Sequence, residues 1–252
     1  MPTSILSVRV NETERSLLET AAKQAHTTLS EFVRRKAVES AELEVMDRRI
    51  IEIPVAQWKQ FEAWLDEPAK EIPALKRLAA STPVWEKISK PRPLAEDDDR
   101  NNFDCGKPSL NAWFQRHAWR NQQFGISRTN VICDTESGKV AGFVSLTAAE
   151  IRREFLPKSQ QRNRPEAVPA ILLGQLAVDL EYQGQGLAKS LLFFAFRTAV
   201  QISEQIGCAC MITHPLDDGV RAFYRNWGFE DTPFDPNRSM VVRIKDLQQN
   251  GF

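Results

Sequence analysis

ILLGQLAVDLEYQGQGLAKSLLFFAFRTAVQISEQ, residues 171–205, places an apolar strand, a glycine turn and a helix in immediate succession. Ile171 to Asp179 reads as the strand and Lys189 to about Gln205 as the helix. Between them lies Gln183-Gly-Gln-Gly-Leu-Ala188. Glycines at such a turn let successive backbone N–H groups converge on a pyrophosphate, and the helix N-terminus adds a favourable dipole. Two other phosphate-binding loops fail on spacing. A dinucleotide fingerprint needs a third glycine where Lys189 stands, and a Walker loop needs a Gly-Lys-Ser/Thr that is absent.

Outward from this stretch, extended and helical pieces alternate. Pro108 to about Gln123 reads as a helix carrying Leu110, Trp113, Phe114 and Trp119. Thr129–Asp134 and Lys139–Thr147 read as strands around the turn at Glu136-Ser-Gly138. Cys208 to His214 is a further strand, Asp217 to Trp227 a helix, and Ser239 to Ile244 closes the alternation. His214 ends its strand before Pro215 and is a second candidate acid. Arg152, Arg153, Lys158, Arg162 and Arg164 form one basic run; Arg116, Arg120 and Arg128 belong to a second group around the helix at 108–123.

The whole chain has 252 residues, with 33 basic residues balancing 33 acidic ones. Nucleic-acid contact must therefore rest on local patches rather than on net charge. No apolar run reaches the roughly 18 residues of a membrane span, and Met1–Val10 lacks the pattern of a secretory signal, so a cytoplasmic protein is expected. Four scattered cysteines and three distant histidines give no metal site; the cysteines read as free buried thiols.

The first half has a different pattern. Leu6, Val8 and Val10 alternate with Ser7 and Arg9, as in a short strand. Asn11 or Thr13 caps a helix to about His26, and the capping box Thr28-Leu-Ser-Glu31 opens another to about Asp47. Ile50–Ile53 is extended, and Pro54 fits the first turn of a helix with Trp58, Phe61, Trp64 and Leu65 on one stripe. Asp66-Glu67-Pro68 stops it, and a short helix follows from about Lys70 to Ala80. Two prolines and four consecutive acidic residues between Ile88 and Asn101 mark a boundary. Methionine occurs only at 1, 46, 211 and 240, so no internal start lies near that boundary.

Several of these segments resemble known families. Gln-x-x-Gly-x-Ala after a strand ending Leu-Ala-Val-Asp resembles the acyl-CoA loop of the GNAT N-acetyltransferases. Ala222-Phe-Tyr-Arg-Asn-Trp-Gly-Phe229 is similar to a second segment of that superfamily. Asn102-Phe-Asp-Cys-Gly-Lys-Pro-Ser-Leu-Asn111 with Gly125-Ile-Ser-Arg-Thr129 resembles the toxin branch that acetylates aminoacyl-tRNA. Residues 1–49, with the Glu12-x-Glu14 helix start and Leu43-Glu-Val-Met-Asp-Arg-Arg-Ile50, look like a ribbon-helix-helix antitoxin of the family partnered with such toxins.

The implied fold is an α/β (α+β) GNAT domain at 88–252, preceded by a small, mainly helical ribbon-helix-helix domain at 1–49 and a helical, toxin-wrapping tail at 50–87. The resemblance implies acetyl-CoA as cosubstrate, with its pantetheine arm on the backbone of Leu176, Ala177 and Val178. Gln183, Gly184, Gln185, Gly186, Leu187 and Ala188 would hold the pyrophosphate, and Tyr224 would protonate the departing thiolate. Arg116, Arg120, Arg128, Arg152, Arg153, Lys158, Arg162 and Arg164 would contact aminoacyl-tRNA. Ser7, Arg9 and Asn11 would contact operator DNA, with two or more copies joined through paired N-terminal strands. Two alternatives stay open on sequence: acetylation of a small amine or a protein, and a transcriptional regulator that senses acetyl-CoA.

Overall fold

Helix starts follow the caps written in the sequence. The Asn11 side chain accepts from the Glu14 amide and the Glu14 carboxylate accepts from the Asn11 amide, both at 2.9 Å. This reciprocal cap opens α1 (Glu12–Gln24). Thr28 Oγ1 accepts from the Glu31 amide at 3.2 Å and opens α2 (Leu29–Met46). The structure, a computed structural model, describes residues 4–83, 87–154 and 167–252. It divides into two compact units, Met1–Glu42 and Leu43–Phe252.

In the first unit the strand expected over Leu6–Val10 does not form within the chain. Leu6 and Val8 stand 85% and 69% exposed. A single strand leaves its backbone donors and acceptors unpaired, so it needs a partner strand to become one.

The second unit begins earlier than the division expected at 49/50. The physical reason is that Met46 is buried and the Gln175 amide donates to Asp47 Oδ1 at 2.8 Å. The chain then runs β1 (Ile50–Ile53), α3 (Val55–Asp66), α4 (Pro73–Ala79), β2 (Arg92–Pro93) and α5 (Pro108–Trp113). After a π-turn at Phe114–Ala118 come α6 (Trp119–Gln123), β3 (Arg128–Cys133), β4 (Val140–Arg153) and β5 (Ala167–Val178). The last elements are α7 (Leu187–Gln205), β6 (Cys210–Thr213), α8 (Asp218–Asn226), β7 (Glu230–Asp231), β8 (Met240–Arg243) and α9 (Ile244–Gln249).

The strands form one mixed sheet in the order β2-β3-β4-β5-β6-β8-β7. β1 joins it in parallel with the far end of β4, Ile51 opposite Ile151. β3 pairs only with the first part of β4, as far as Leu146. The remaining edge of β4 would present unpaired backbone, and β1 covers it.

Side chains alternate between the faces with the two-residue period of a strand. One face buries Ile171, Leu173, Met211 and Val242 under Leu191 and Phe196 of α7, with Leu75 and Leu78 of α4 in the same cluster. The opposite face is covered in two parts. Ile151, Leu172, Ile212 and Val241 pack against Ile51, Ile53, Trp58 and Phe61. Val131 and Phe143 pack against Phe103, Trp113 and Phe114, and the Phe114 and Phe143 rings stack at 4.2 Å between centroids.

Candidate active site

A cleft forms where two strands part. β5 carries one extra residue, Gly174, since Ser145 pairs with Gln175 and Leu146 with Leu173. Parallel pairing of β5 with β6 ends at Leu172–Ile212. Beyond that point lies a cavity of about 310 Å³, walled by Leu176, Ala177 and Val178 on one side and by Val220, Phe223 and Tyr224 of α8 on the other. The backbone of residues 176–178 bonds to β4 along one edge only, at Leu176–Val144, Ala177–Phe143 and Val178–Gly142. Its other edge can receive an extended ligand as an added strand.

The glycine turn stands at the mouth of this cleft. Gly184 and Gly186 have φ of +76° and +80°, a left-handed conformation that favours glycine, and a side chain at either would meet nothing within 4 Å. Backbone curvature is thus what requires them. Gly186 is the N-cap residue of α7, and it has no side chain to occupy the helix end. Gln183 behaves differently from the expectation. Its side-chain amide donates to Val178 O at 3.0 Å and Cys105 O at 3.2 Å, so it pins the turn to the strand. Leu187 is buried in the core and offers only its backbone. The turn, the strand edge without a second partner strand and the apolar walls together fit a pyrophosphate with a long arm that carries amide groups. Cys105, in the cleft wall, is a neutral thiol, because burial raises its pKa.

Tyr224 sits where two cavities meet. A smaller one, about 70 Å³, shares Lys107, Leu110, Leu176, Val220 and Tyr224 with the first and adds Met46 and His214. Burial pushes the Tyr224 hydroxyl up to about 12, against a hydrogen bond to Thr213 that lowers it. Lys107 Nζ lies 2.7 Å from Asp217 Oδ2, tying the N-terminal ends of α5 and α8 together beside the cleft.

The far side of the smaller cavity is closed by residues 46–48. Gln175 holds Asp47, Arg48 Nη2 meets Asp235 Oδ2 at 3.0 Å, and His214 Nε2 lies 2.7 Å from Arg48 O. Burial pushes His214 down to about 4. The ring is neutral at pH 7, and Nε2–H donates to the carbonyl. His214, the second candidate acid, is therefore engaged in this contact.

Comparison with known proteins gives two family matches on one chain. Residues 5–83 match the family described as Antitoxin TacA 1-like, and residues 127–231 match the acetyltransferase (GNAT) domain. A tRNA-acetylating toxin of Mycobacterium tuberculosis is 38% identical over 160 residues, which is 64% of this chain and 95% of that protein. The chain belongs to the GNAT toxin family. Its first part is 31% identical over 81 residues to the antitoxin TacA1 of Salmonella typhimurium, covering 32% of this chain and 85% of that one. The crystal structure of AtaTR bound with acetyl-CoA superposes with a TM-score of 0.58 at 26% identity, over 65% of this chain and 97% of the other. The chain is accordingly a GNAT N-acetyltransferase that uses acetyl-CoA as cosubstrate and carries a TacA-type antitoxin in the same polypeptide.

Within this GNAT fold the basic residues separate. Arg116, Arg120 and Arg128 are exposed at the α5–α6 end and the start of β3; Arg120 lies over the Phe124 ring at 5.8 Å, and Arg128 Nη1 donates to Gln122 O at 2.8 Å. Arg152 and Arg153, beyond the strand expected to end at Thr147, lie in β4, which runs on to Arg153 with β1 alongside. Arg152 meets Glu52 Oε1 at 2.6 Å, so its charge is partly answered from β1. Lys158, Arg162 and Arg164 lie outside the described residues, as does Trp85 of the expected wrapping segment. At the N-terminus Ser7 and Arg9 are exposed, while the Asn11 oxygen is committed to the α1 cap. Among the described residues no helix is long and apolar enough to cross a membrane.

Sequence reasoning also missed three polar residues that lie outside the cleft walls, Arg243, Asp246 and Asn250. Arg243 and Asp246 are both buried and paired at 2.8 Å. Arg243 also donates to the carbonyls of Trp64, Glu67 and Pro68, and Asp246 accepts from the Lys70 amide. Asn250 accepts from the Ile72 amide and donates to Lys70 O. A run such as Arg243-Ile-Lys-Asp246 carries no pattern that marks it as a clasp for a segment some 180 positions earlier.

Proposed function

We propose that this chain is a fused antitoxin–toxin that transfers the acetyl group of acetyl-CoA to the α-amino group of aminoacyl-tRNA, blocking translation in the cytoplasm. The observation that carries the reading is Tyr224 at the junction of the two cavities, one leading to the glycine turn and the other to an acceptor side. A solved relative, AtaT complexed with acetyl-methionyl-tRNAfMet, has a TM-score of 0.56 at 25% identity. Bound acetyl-CoA supplies an acetyl group activated as a thioester.

The chain's own groups have modest chemical work to do. An α-amino group has a pKa of about 7.7–8.0, so a useful neutral fraction exists at pH 7 without a strong base. The amine nitrogen forms the new C–N bond as the C–S bond breaks, and its surplus proton passes to solvent. Tyr224 directs its hydroxyl at the departing sulfur. With its pKa near 12 against about 8.5 for a thiol, it stabilises the thiolate first as a hydrogen-bond donor and gives up its proton late. Backbone amides near Val178 face the developing oxyanion. Arg116, Arg120, Arg128, Arg152 and Arg153 hold phosphates of the acceptor stem, with Lys158, Arg162 and Arg164 completing the patch.

In the fused chain residues 50–87 act as the neutralising segment, joining the DNA-binding and dimerising domain at 1–49 to the acetyltransferase domain at 88–252. Residues 46–48 stand across the acceptor side and restrain turnover. Ser7 and Arg9 read operator bases from a ribbon shared by two copies, and Asn11 fixes the helix start beside it.

Labelled acetyl transfer to bulk charged tRNA tests the reading. The full chain or its Asp47→Ala variant is expected to transfer, the variant faster. Tyr224→Phe lowers kcat by roughly 100- to 10,000-fold. Binding of acetyl-CoA without transfer to charged tRNA by either protein sinks it and leaves a small-amine enzyme or an acetyl-CoA sensor.

A further inference from the structure

α6 ends in a fastened turn that displays an aromatic ring. The Gly125 amide donates to Gln122 O at 3.1 Å and the Ile126 amide to Asn121 O at 2.8 Å, with Gly125 at a φ of +69°. This pair of bonds closes a helix on a left-handed glycine. Gln122 Oε1 accepts from the Thr129 amide at 3.0 Å, and Arg128 Nη1 donates to Gln122 O, so the turn is tied to β3. Thr147 Oγ1 donates to Ile126 O from β4. On this backbone Phe124 stays 68% exposed, and Ile126 beside it is exposed as well.

A single exposed apolar side chain needs no explanation by itself. The charges around this one give it a meaning. No aspartate or glutamate lies between Asp104 and Asp134, whereas Lys107, Arg116, Arg120 and Arg128 do. In the acidic run before that stretch, Asp98 is tied to Arg92 and Asp99 to Asn102. Arg116, Arg120 and Arg128 are exposed, and the Arg120 guanidinium lies over the Phe124 ring at 5.8 Å. A ring among arginines is a surface on which an unpaired base stacks while its phosphates are answered. The acceptor side is within reach. Arg128 pairs with Leu146 and Leu146 with Leu173, whose carbonyl accepts from Thr213 Oγ1. At about 4.8 Å per strand, the start of β3 stands about 15 Å from Thr213 in the wall of the smaller cavity. A few nucleotides span that distance at about 3.4 Å or more each.

We propose that Phe124 is a stacking platform for a base of the single-stranded 3′ end of the charged tRNA, with Arg120 and Arg128 answering the phosphates beside it. The inference rests on aminoacyl-tRNA being the acceptor, and it adds a contact to the bases where the basic residues supply contacts to the backbone.

Binding of bulk tRNA, and of the same tRNA trimmed of its single-stranded 3′ end, to the full chain carrying Asp47→Ala tests it. Phe124→Ala is expected to raise Kd for intact tRNA roughly 5- to 150-fold. The slope of log Kd against log salt stays unchanged in that variant, whereas Arg120→Gln lowers it by about 0.7. Phe124→Trp keeps the affinity, and trimmed tRNA binds Phe124→Ala and its parent alike. KM for acetyl-CoA is the same in all of them.

Equal affinity of Phe124→Ala and its parent for intact tRNA, or a loss that trimmed tRNA shows equally, overturns the inference while leaving transfer to charged tRNA in place. Self-association of the parent that Phe124→Ala abolishes, without a change in tRNA affinity, overturns it too and makes the ring a contact between copies. If neither protein transfers acetyl to charged tRNA although both bind acetyl-CoA, the proposed function falls and this inference falls with it.

Discussion

The two faces of the sheet are covered by different kinds of chain. Over one face, α7 follows β5 directly and packs Leu191, Leu192, Ala195 and Phe196 onto it, the local βα packing expected of such folds. Over much of the other lies α3, whose Trp58 and Phe61 belong to the antitoxin-like part. Both covers are equally buried, since Phe196 and Phe61 are each fully inaccessible. The second face has no helix of its own in residues 87–154 or 167–252 beyond α5 and α6 at the β3 end. The antitoxin-like part is therefore built into the enzyme's core, and is more than a clamp laid on a finished surface.

The largest effects expected fall on that borrowed cover. Trp58→Ala and Arg243→Ala should each cost about 3–5 kcal/mol, the first through a cavity and the second by stranding buried Asp246. Phe196→Ala should cost a similar amount on the opposite face. Denaturant unfolding of the full chain measures all three. If Trp58→Ala instead leaves the main transition in place, the two faces are not equivalent and α3 is a detachable clamp.

A smaller effect comes from pH. His214 is held at about 4, chiefly by burial, against 6.5 in the unfolded chain. The unfolded chain therefore binds the proton first on acidification. The stabilisation is fully present above about pH 6.5 and is lost as pH falls towards 4, by up to about 3 kcal/mol at 1.36 kcal/mol per unit. Denaturation midpoints followed over that range should show the slope, and His214→Asn should flatten it.

Gly228 tests the junction on the α7 side, where the antitoxin-like α4 also enters. Its φ is +89°, and an added Cβ would lie 2.8 Å from Leu75 Cγ. Gly228→Ala should cost about 1–3 kcal/mol in thermal or chemical unfolding. The smallest effect is expected at Glu52. Its pair with Arg152 is half exposed on both sides, so Glu52→Gln should change stability by less than about 1 kcal/mol. The same variant should strengthen charged-tRNA binding if Arg152 belongs to the acceptor-stem patch. A large stability loss would instead make this pair a principal lock between β1 and β4.

What could be read from the sequence was local. The caps at Asn11 and Thr28, the helix entry at Pro54 and the glycine turn before α7 depend on neighbours within a few positions, and the structure places them as the pattern requires. The segment around Tyr224 resembled a known pattern, and the structure puts Tyr224 in the wall of both cavities. The parallel pairing of Ile51 with Ile151 was not legible, since alternation in a four-residue strand says nothing of which edge it joins. The strand expected to end at Thr147 runs on to Arg153, because β1 pairs with β4 over Glu150–Arg153. The hydrogen bond from Thr213 Oγ1 to Leu173 O was not legible either, since it depends on where β5 and β6 part.

The parallel union of β1 with β4 also orders events in time. Ile51 leaves the ribosome a hundred residues before its partner Ile151, a wait of roughly 5–20 s at ordinary elongation rates. Such a distant contact is slow to close, yet its order is fixed by the direction of synthesis. Residues 46–66, which wall the smaller cavity and cover the sheet, exist before β6 and α8 are made. The cleft with Tyr224 can only assemble beside a cover that is already present, so every stage of synthesis that has the cleft also has α3.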